Sequence, residues 1–220
     1  MRKRIRVGLL LWAGLALMAL VTRANAGILD QEHSVQQYHF GAAAVASQSL
    51  AQTFTVGFSG TLDRLELQLW RDATATLPLT AEFRLTLTTG GPDLSLSGLL
   101  ASLNWDTSTI PTTPFTTQFS GMNLGQQAFA VDAGQVLAIV LTSPTSFPAW
   151  YLWETSDSAA TPPAPQYVSG QAYVLGTFGG LRPESNQDRG FRTYVTIPEF
   201  ANLPILIIPA LLALRRANQK

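Results

Sequence analysis

Two histidines, a scatter of carboxylates and a knot of aromatic rings are the side chains of this 220-residue chain best suited to chemistry. His33 and His39 are the only histidines, close together in Gln31-Glu32-His33-Ser34-Val35-Gln36-Gln37-Tyr38-His39-Phe40, with Asp30 just before. A zinc site takes three or four ligands at recognisable spacing, and no His-Glu-x-x-His pattern occurs, so no metal site is expected there. A Ser-His-Asp hydrolase is equally poorly served, because no Gly-x-Ser-x-Gly elbow exists to present the nucleophile. Asp63, Glu66, Asp106, Glu154, Asp157 and Asp188 could supply a glycosidase's carboxylate pair, which must stand roughly 5–10 Å apart across a cleft. Solvated strand and turn positions explain the same residues without catalysis. Asp157 and Asp188 with nearby loop carbonyls could hold calcium, although no EF-hand or nonapeptide repeat supports it. Gly176-Thr177-Phe178-Gly179-Gly180 lacks the Lys-Ser/Thr ending of a phosphate-binding loop. No catalytic residue, metal or cofactor is therefore assigned. The rings are the better lead: Trp150, Tyr151 and Trp153 cluster after Pro148, and Trp70 and Trp105 fall at expected strand or loop edges. In an alternating strand Trp150 and Leu152 share one face and Tyr151 and Trp153 the other, so half of the cluster belongs to the core. Tyr151 and Trp153, beside Glu154, form the candidate sugar-binding platform.

The elements that must position these residues read as strands. Leu65, Leu67 and Leu69 alternate with Glu66, Gln68 and Trp70, and Leu79, Ala81, Phe83, Leu85 and Leu87 alternate with Thr80, Glu82, Arg84 and Thr86. That period of two marks half-buried strands. Further strands are expected over Gln127 to Val131, Gln135 to Leu141, Trp150 to Glu154, Gln171 to Leu175 and Phe191 to Thr196. Turn signals such as Gly57-Phe58-Ser59-Gly60 and Thr89-Gly90-Gly91-Pro92 punctuate them. Val35 to Leu50, Ala-rich in its middle, is the one stretch of this region that admits a helix. Many short strands without intervening helices predict an all-β domain, an antiparallel two-sheet sandwich of jelly-roll-like arrangement.

The ends carry a different pattern. Arg2 to Arg6, the apolar run Val7 to Val21 and the small-x-small triplet Ala24-Asn25-Ala26 are the three parts of a secretory signal peptide, with cleavage after Ala26 by signal peptidase. The competing reading is an uncleaved anchor, for which the run is short. The C-terminus has Pro198-Glu199, an apolar segment from Leu203 to Leu214, then Arg215, Arg216 and Lys220. Those twelve residues, interrupted by Pro204 and Pro209, would reach only about 18 Å as a helix, against a hydrocarbon core of about 30 Å. They suit transient membrane contact better than permanent anchoring, with the Arg pair held on the cytoplasmic side. A C-terminal strand or helix packed on the domain is the alternative. Between residues 27 and 214 there are 6 basic and 14 acidic residues, a net charge near −8, which repels phosphate backbones and argues against nucleic-acid binding. The absence of cysteine excludes a disulfide framework, a thiolate site and a cysteine nucleophile.

From Ile197 to Lys220 the chain resembles the PEP-CTERM sorting tail of exosortase-dependent Gram-negative proteins, in which Pro-Glu-Pro precedes an apolar helix and a basic cluster. Phe200 stands where that family has its second proline. Ala51-Gln52-Thr53-Phe54-Thr55, Ser59-Gly60-Thr61-Leu62, Ser169-Gly170-Gln171-Ala172-Tyr173 and Asp188-Arg189-Gly190-Phe191-Arg192-Thr193-Tyr194-Val195 resemble the choice-of-anchor domains, notably the R type. Those are exported β-rich modules joined to different surface-sorting tails. The two resemblances imply a cell-surface or extracellular-matrix location in a Gram-negative bacterium and an exosortase-type enzyme as processing partner. They supply no catalytic residues.

The expectation is thus a signal peptide over residues 1–26, a β-sandwich ectodomain over 27–196 and a sorting or anchor segment over 197–220. Its role would be non-catalytic, in an envelope or biofilm matrix, through contact with exopolysaccharide. A secreted carbohydrate-active enzyme on the same fold is the alternative, to be distinguished by two facing carboxylates in an open groove. A tail-anchored ectodomain without processing is a third.

Overall fold

A computed structural model describes residues 27–36, 40–113, 117–159, 163–176 and 180–198. The expected signal helix, the apolar tail, Ala24, Ala26, His39, Glu199, Arg215 and Arg216 lie outside them; Pro198 is described and exposed. Every paired strand is antiparallel, so the all-β expectation holds.

The first strands are β1 (Ile28–His33), β2 (Phe40–Ala44), β3 (Gln48–Thr55), β4 (Gly60–Leu67), β5 (Leu69–Arg71), β6 (Leu79–Leu85) and β7 (Leu99–Trp105). The chain continues through β8 (Ser120–Asn123), β9 (Phe129–Val131), β10 (Val136–Thr142) and β11 (Tyr151–Asp157). It closes with β12 (Ala172–Gly176), β13 (Gly180–Glu184), β14 (Gln187–Arg189) and β15 (Phe191–Thr196). Three sheets result: β13-β12-β3-β10-β6-β7; β1-β15-β4-β8, with β9 also on β4; and β14-β11-β2, with β5 also on β11.

One core joins all three. β6 turns Leu79, Ala81 and Phe83 inward, β10 turns Leu137, Ile139 and Leu141, and β3 turns Leu50 and Phe54. They pack with Leu62, Leu65 and Leu67 of β4, Phe191 and Val195 of β15, and Tyr151 and Trp153 of β11. Both faces of β10 are apolar because Ala138 and Val140 are covered too, by Ala51 and Tyr173 with Leu175 and Leu181 against them. A continuous hydrophobic run is what such double coverage requires.

The Val35 to Leu50 stretch is not helical where described. β2 and β3 occupy half of it, joined by a tight turn in which Val45 and Gln48 exchange backbone hydrogen bonds of 3.1 and 2.9 Å. Local Ala content favours helix by only tenths of a kcal/mol per residue. Pairing of β2 with β11 and of β3 with β10 and β12 outweighs it.

The second and third sheets meet where one strand pair opens around another strand. β4 and β15 run side by side until Gln68 and Gly190 and then separate along β11, β5 pairing with Tyr151–Trp153 and β14 with Thr155–Asp157. At the fork three backbones close a ring: Gln68 N–H donates to Gly190 C=O (3.0 Å), Gly190 N–H to Glu154 C=O (2.9 Å), and Glu154 N–H to Gln68 C=O (2.9 Å). No buried backbone group at the fork is left orphaned, as burial demands. Glycine is required at 190 by close approach, since a Cβ there would lie 2.8 Å from Gln68 Cδ and 2.9 Å from its Cβ. Gln68 cannot yield, because its buried amide spans to Val35, accepting from Val35 N–H (2.7 Å) and donating to Val35 C=O (3.2 Å). Gly190→Ala is therefore expected to cost about 1–3 kcal/mol by overpacking, read as a lower urea midpoint at unchanged m.

Candidate functional site

The aromatic knot comes from β11 and the loop before it. Alternation along the strand is as expected, but the face assigned to ligand is the buried one. Tyr151 and Trp153 are wholly buried in the shared core. Trp153 Nε1 donates to Gly190 C=O (2.8 Å), and the Tyr151 hydroxyl donates to the Leu77 carbonyl. Glu154 points to the other side and is also wholly buried. The Tyr151/Trp153/Glu154 platform thus presents no ring face to solvent. The physical reason is that β11 sits in mid-sheet, with β2 along one edge and β5 and β14 along the other, so its ring-bearing face closes the core.

The opposite face carries the accessible rings. Trp70 lies across the ladder from Leu152, whose other neighbour is Ala43, and all three are half-buried. Trp150 meets Trp70 edge to face, with centroids 4.6 Å apart and planes at 77°. Phe147, 83% exposed, precedes Pro148 through a cis peptide just upstream. Together Trp70 and Trp150 form a corner at the sheet surface, the arrangement that accepts an amphipathic ring with apolar and hydroxylated sides.

A second constellation is buried between β14, β3 and β12. Arg189 is wholly enclosed: its guanidinium donates to Glu184 Oε2 (2.6 Å), the Tyr173 carbonyl (3.1 Å), the Ala51 carbonyl (3.3 Å) and Thr155 Oγ1 (3.2 Å). It also faces the Trp153 ring at 5.7 Å. Burial drives its pKa down, while Glu184 and Asp188 pull it back up. Asp188, 4% exposed, accepts from the Gln52 amide (3.1 Å) and from Tyr167 N–H (2.9 Å), and Gln52 Oε1 in turn accepts from Arg189 N–H (2.9 Å). Burial raises the Asp188 pKa against the lowering effect of those hydrogen bonds and of Arg189. Sequence reasoning assigned no role to Arg189 or Gln52. The available signal was a charged pair, Asp188-Arg189, immediately before a glycine between two strands.

His33, at the end of β1, is buried with Nε2 3.1 Å from Ser156 Oγ and its ring 6.1 Å from that of Tyr167. Burial lowers its pKa from 6.5 to about 4, against a small opposing pull from Glu32. The histidine is thus neutral and packed, held through Ser156.

The remaining carboxylates have local work. Asp63 accepts from Thr196 Oγ1, Glu66 pairs with Arg64 and accepts from Tyr194 (2.8 Å), and Asp106 caps a 3₁₀ turn through Ser108 N–H (2.9 Å). Asp157 and Asp188 stand at successive register positions on β11 and β14, opposite Gln187 and Ser156, and so point to opposite faces of that ladder. The structure therefore does not bring this pair together as a calcium site, and among the described residues no group of three or more His, Cys, Asp or Glu is placed to hold a metal. Trp105 is a core residue.

Comparison with family models and with curated proteins found no match to this chain.

Proposed function

We propose that this chain is a non-catalytic protein exported to the surface or extracellular matrix of a Gram-negative bacterium, where its jelly-roll-like β domain binds exopolysaccharide. Signal peptidase removes residues 1–26 and an exosortase-type enzyme processes the segment after Ile197, which touches the membrane only in passing. The export and sorting rest on the patterns of the two ends. The binding role is carried by one observation: the Trp70–Trp150 corner on the outward side of β5 and β11. Pyranose rings stack on such surfaces by their C–H faces, and aromatic anchors of this kind dominate binding energy at polar surfaces.

Electrophoresis through gels containing the host's own exopolysaccharide tests the reading. Wild-type protein is expected to be retarded, and Trp150→Ala to lose at least tenfold in apparent affinity while keeping its melting temperature within a few degrees. Retardation unaffected by changes at Trp150 and Trp70 would reject the corner as the binding surface. Intact-mass measurement of protein recovered from the host checks the sorting: a mass lacking both end segments supports it, and a retained tail refutes it.

A further inference from the structure

On the far side of the Asp188–Arg189 node a groove of about 260 Å³ opens to solvent between the loop carrying Gln166–Gly170 and the β13–β14 turn. Its lining includes Gln166, Gln171, Ser185, Gln187 and Asp188. The loop is built in place. Gly170 lies so close to β3 that a Cβ would come within 2.7 Å of the Thr53 carbonyl carbon. Thr53 N–H donates to the Gln171 carbonyl, and Gln171 N–H to Thr53 Oγ1, both at 2.9 Å. The Tyr167 hydroxyl reaches Gln31 Oε1 on β1 (2.7 Å), and its ring stands edge-on to Phe191 (5.1 Å).

Gln166 and Gln171 present acceptors to a ligand, while the Ser185 hydroxyl and the Gln187 amide can donate as well as accept. Gln166 Nε2 is used by Ser158 Oγ (2.8 Å) and the Ser185 carbonyl (3.2 Å), and Gln171 Nε2 by the Ala172 (3.2 Å) and Glu184 (2.7 Å) carbonyls. Their amide oxygens remain available. The Asp188 carboxylate takes only neutral donors, the Gln52 amide and Tyr167 N–H, because the neighbouring guanidinium of Arg189 is paired with Glu184. The node therefore holds two carboxylates against one cation, and the surplus negative charge sits on the groove floor. Holding it there carries a desolvation cost, which is why the Asp188 pKa is raised.

A surplus carboxylate disfavours anionic ligands, and the net charge near −7 of residues 27–196 reinforces that preference. A single carboxylate is a poor match for a divalent cation, which collects several. A ligand with one ammonium group and several hydroxyl donors satisfies all of it. We infer that this groove binds a hexosamine residue with a free amine, its ammonium on Asp188 and its hydroxyls on the amide oxygens of Gln166 and Gln171. The inference rests on the polysaccharide reading above and narrows it to glycans that are at least partly de-N-acetylated.

Calorimetric titration at pH 6 with a glucosamine hexamer, its fully N-acetylated counterpart, a neutral glucan oligomer and spermidine tests this. The glucosamine hexamer is expected to bind at least tenfold tighter than the acetylated form and than spermidine. Asp188→Asn should abolish that preference, and Gln187→Ala, which leaves the buried network untouched, should weaken binding about threefold. Equal affinity for the acetylated and free-amine hexamers overturns the inference, as does spermidine binding as well as the sugar. Glucan binding that Trp150→Ala removes, without any amine preference, leaves the polysaccharide reading standing alone. No binding by any oligosaccharide sinks both.

Discussion

Arg189→Met is expected to destabilise the domain by about 3–5 kcal/mol, the cost typical of removing one partner from a buried charge pair. The volume of the side chain is largely kept, so the loss is electrostatic and polar. Without the guanidinium, the Ala51 and Tyr173 carbonyls lose a donor inside the protein, and Glu184 loses its partner at 2.6 Å. Ala51 and Tyr173 stand opposite each other in the β3–β12 ladder, so their carbonyls lose a second donor rather than every partner, and the unpaired Glu184 carboxylate carries most of the cost. Thr155 Oγ1 retains its bond to the Trp153 carbonyl (2.9 Å) and contributes less. Chemical denaturation checks the magnitude. Adding Glu184→Gln to Arg189→Met should recover part of the loss, because Glu184 keeps some contact with water and an amide tolerates that site better than an unpaired carboxylate. A Met variant within 1 kcal/mol of wild type would show that the node contributes nothing to stability.

Acidification from pH 6.5 to pH 4 should remove about 3 kcal/mol of stability through His33 alone. The sign follows from which state binds the proton first. The unfolded chain protonates this histidine near 6.5 and the folded chain only near 4, so between those values the unfolded state holds more protons and gains with each step down in pH. Below about 4 the contribution levels off. Asp30 and Asp188 act in the opposite sense: burial raises both pKa values, so the folded state is penalised at neutral pH and that penalty is relieved as pH falls through them. Comparing urea midpoints of wild type and His33→Gln across this range isolates the histidine. The variant should lose the steep arm between 6.5 and 4 and show the shallow opposing trend of the two aspartates. Parallel profiles for the two proteins would reject the assignment of the acid sensitivity to His33.

The strands that announced themselves were those with one wet face and one dry one. β6 and β15 alternate cleanly because Thr80, Glu82 and Arg192 reach solvent or surface ion pairs while Leu79, Phe83 and Phe191 do not. β2 gave no such signal, since Gly41, Ala42, Ala43 and Ala44 differ too little to mark a face, and the same alanines suggest helix. The aromatic strand was legible as a strand and illegible as a surface. With Trp150 and Leu152 on one side and Tyr151 and Trp153 on the other, both faces are apolar in type. Which one is buried depends on where β5, β14 and β2 dock, a matter of long-range pairing. Gln52 and Gln68 were hidden for a related reason: a lone polar residue in a strand reads as surface until its buried partners, Asp188, Arg189 and Val35, are known to lie beside it. The groove unites residues from positions 166 to 188 with a floor tied to Gln52, and no local pattern could reveal that.

β15 is the last described strand and has a neighbour on each side, β1 along Ile28–His33 and β4 along Thr61–Leu67. Tension applied to the chain beyond Pro198 therefore enters the domain along the axis of a strand clamped by two ladders. Such a load must shear both rows of hydrogen bonds together, whereas a strand at a sheet edge can be peeled open one bond at a time. Resistance to pulling is governed by the rate of unfolding under load, and a centrally held terminal strand is the arrangement that keeps that rate low.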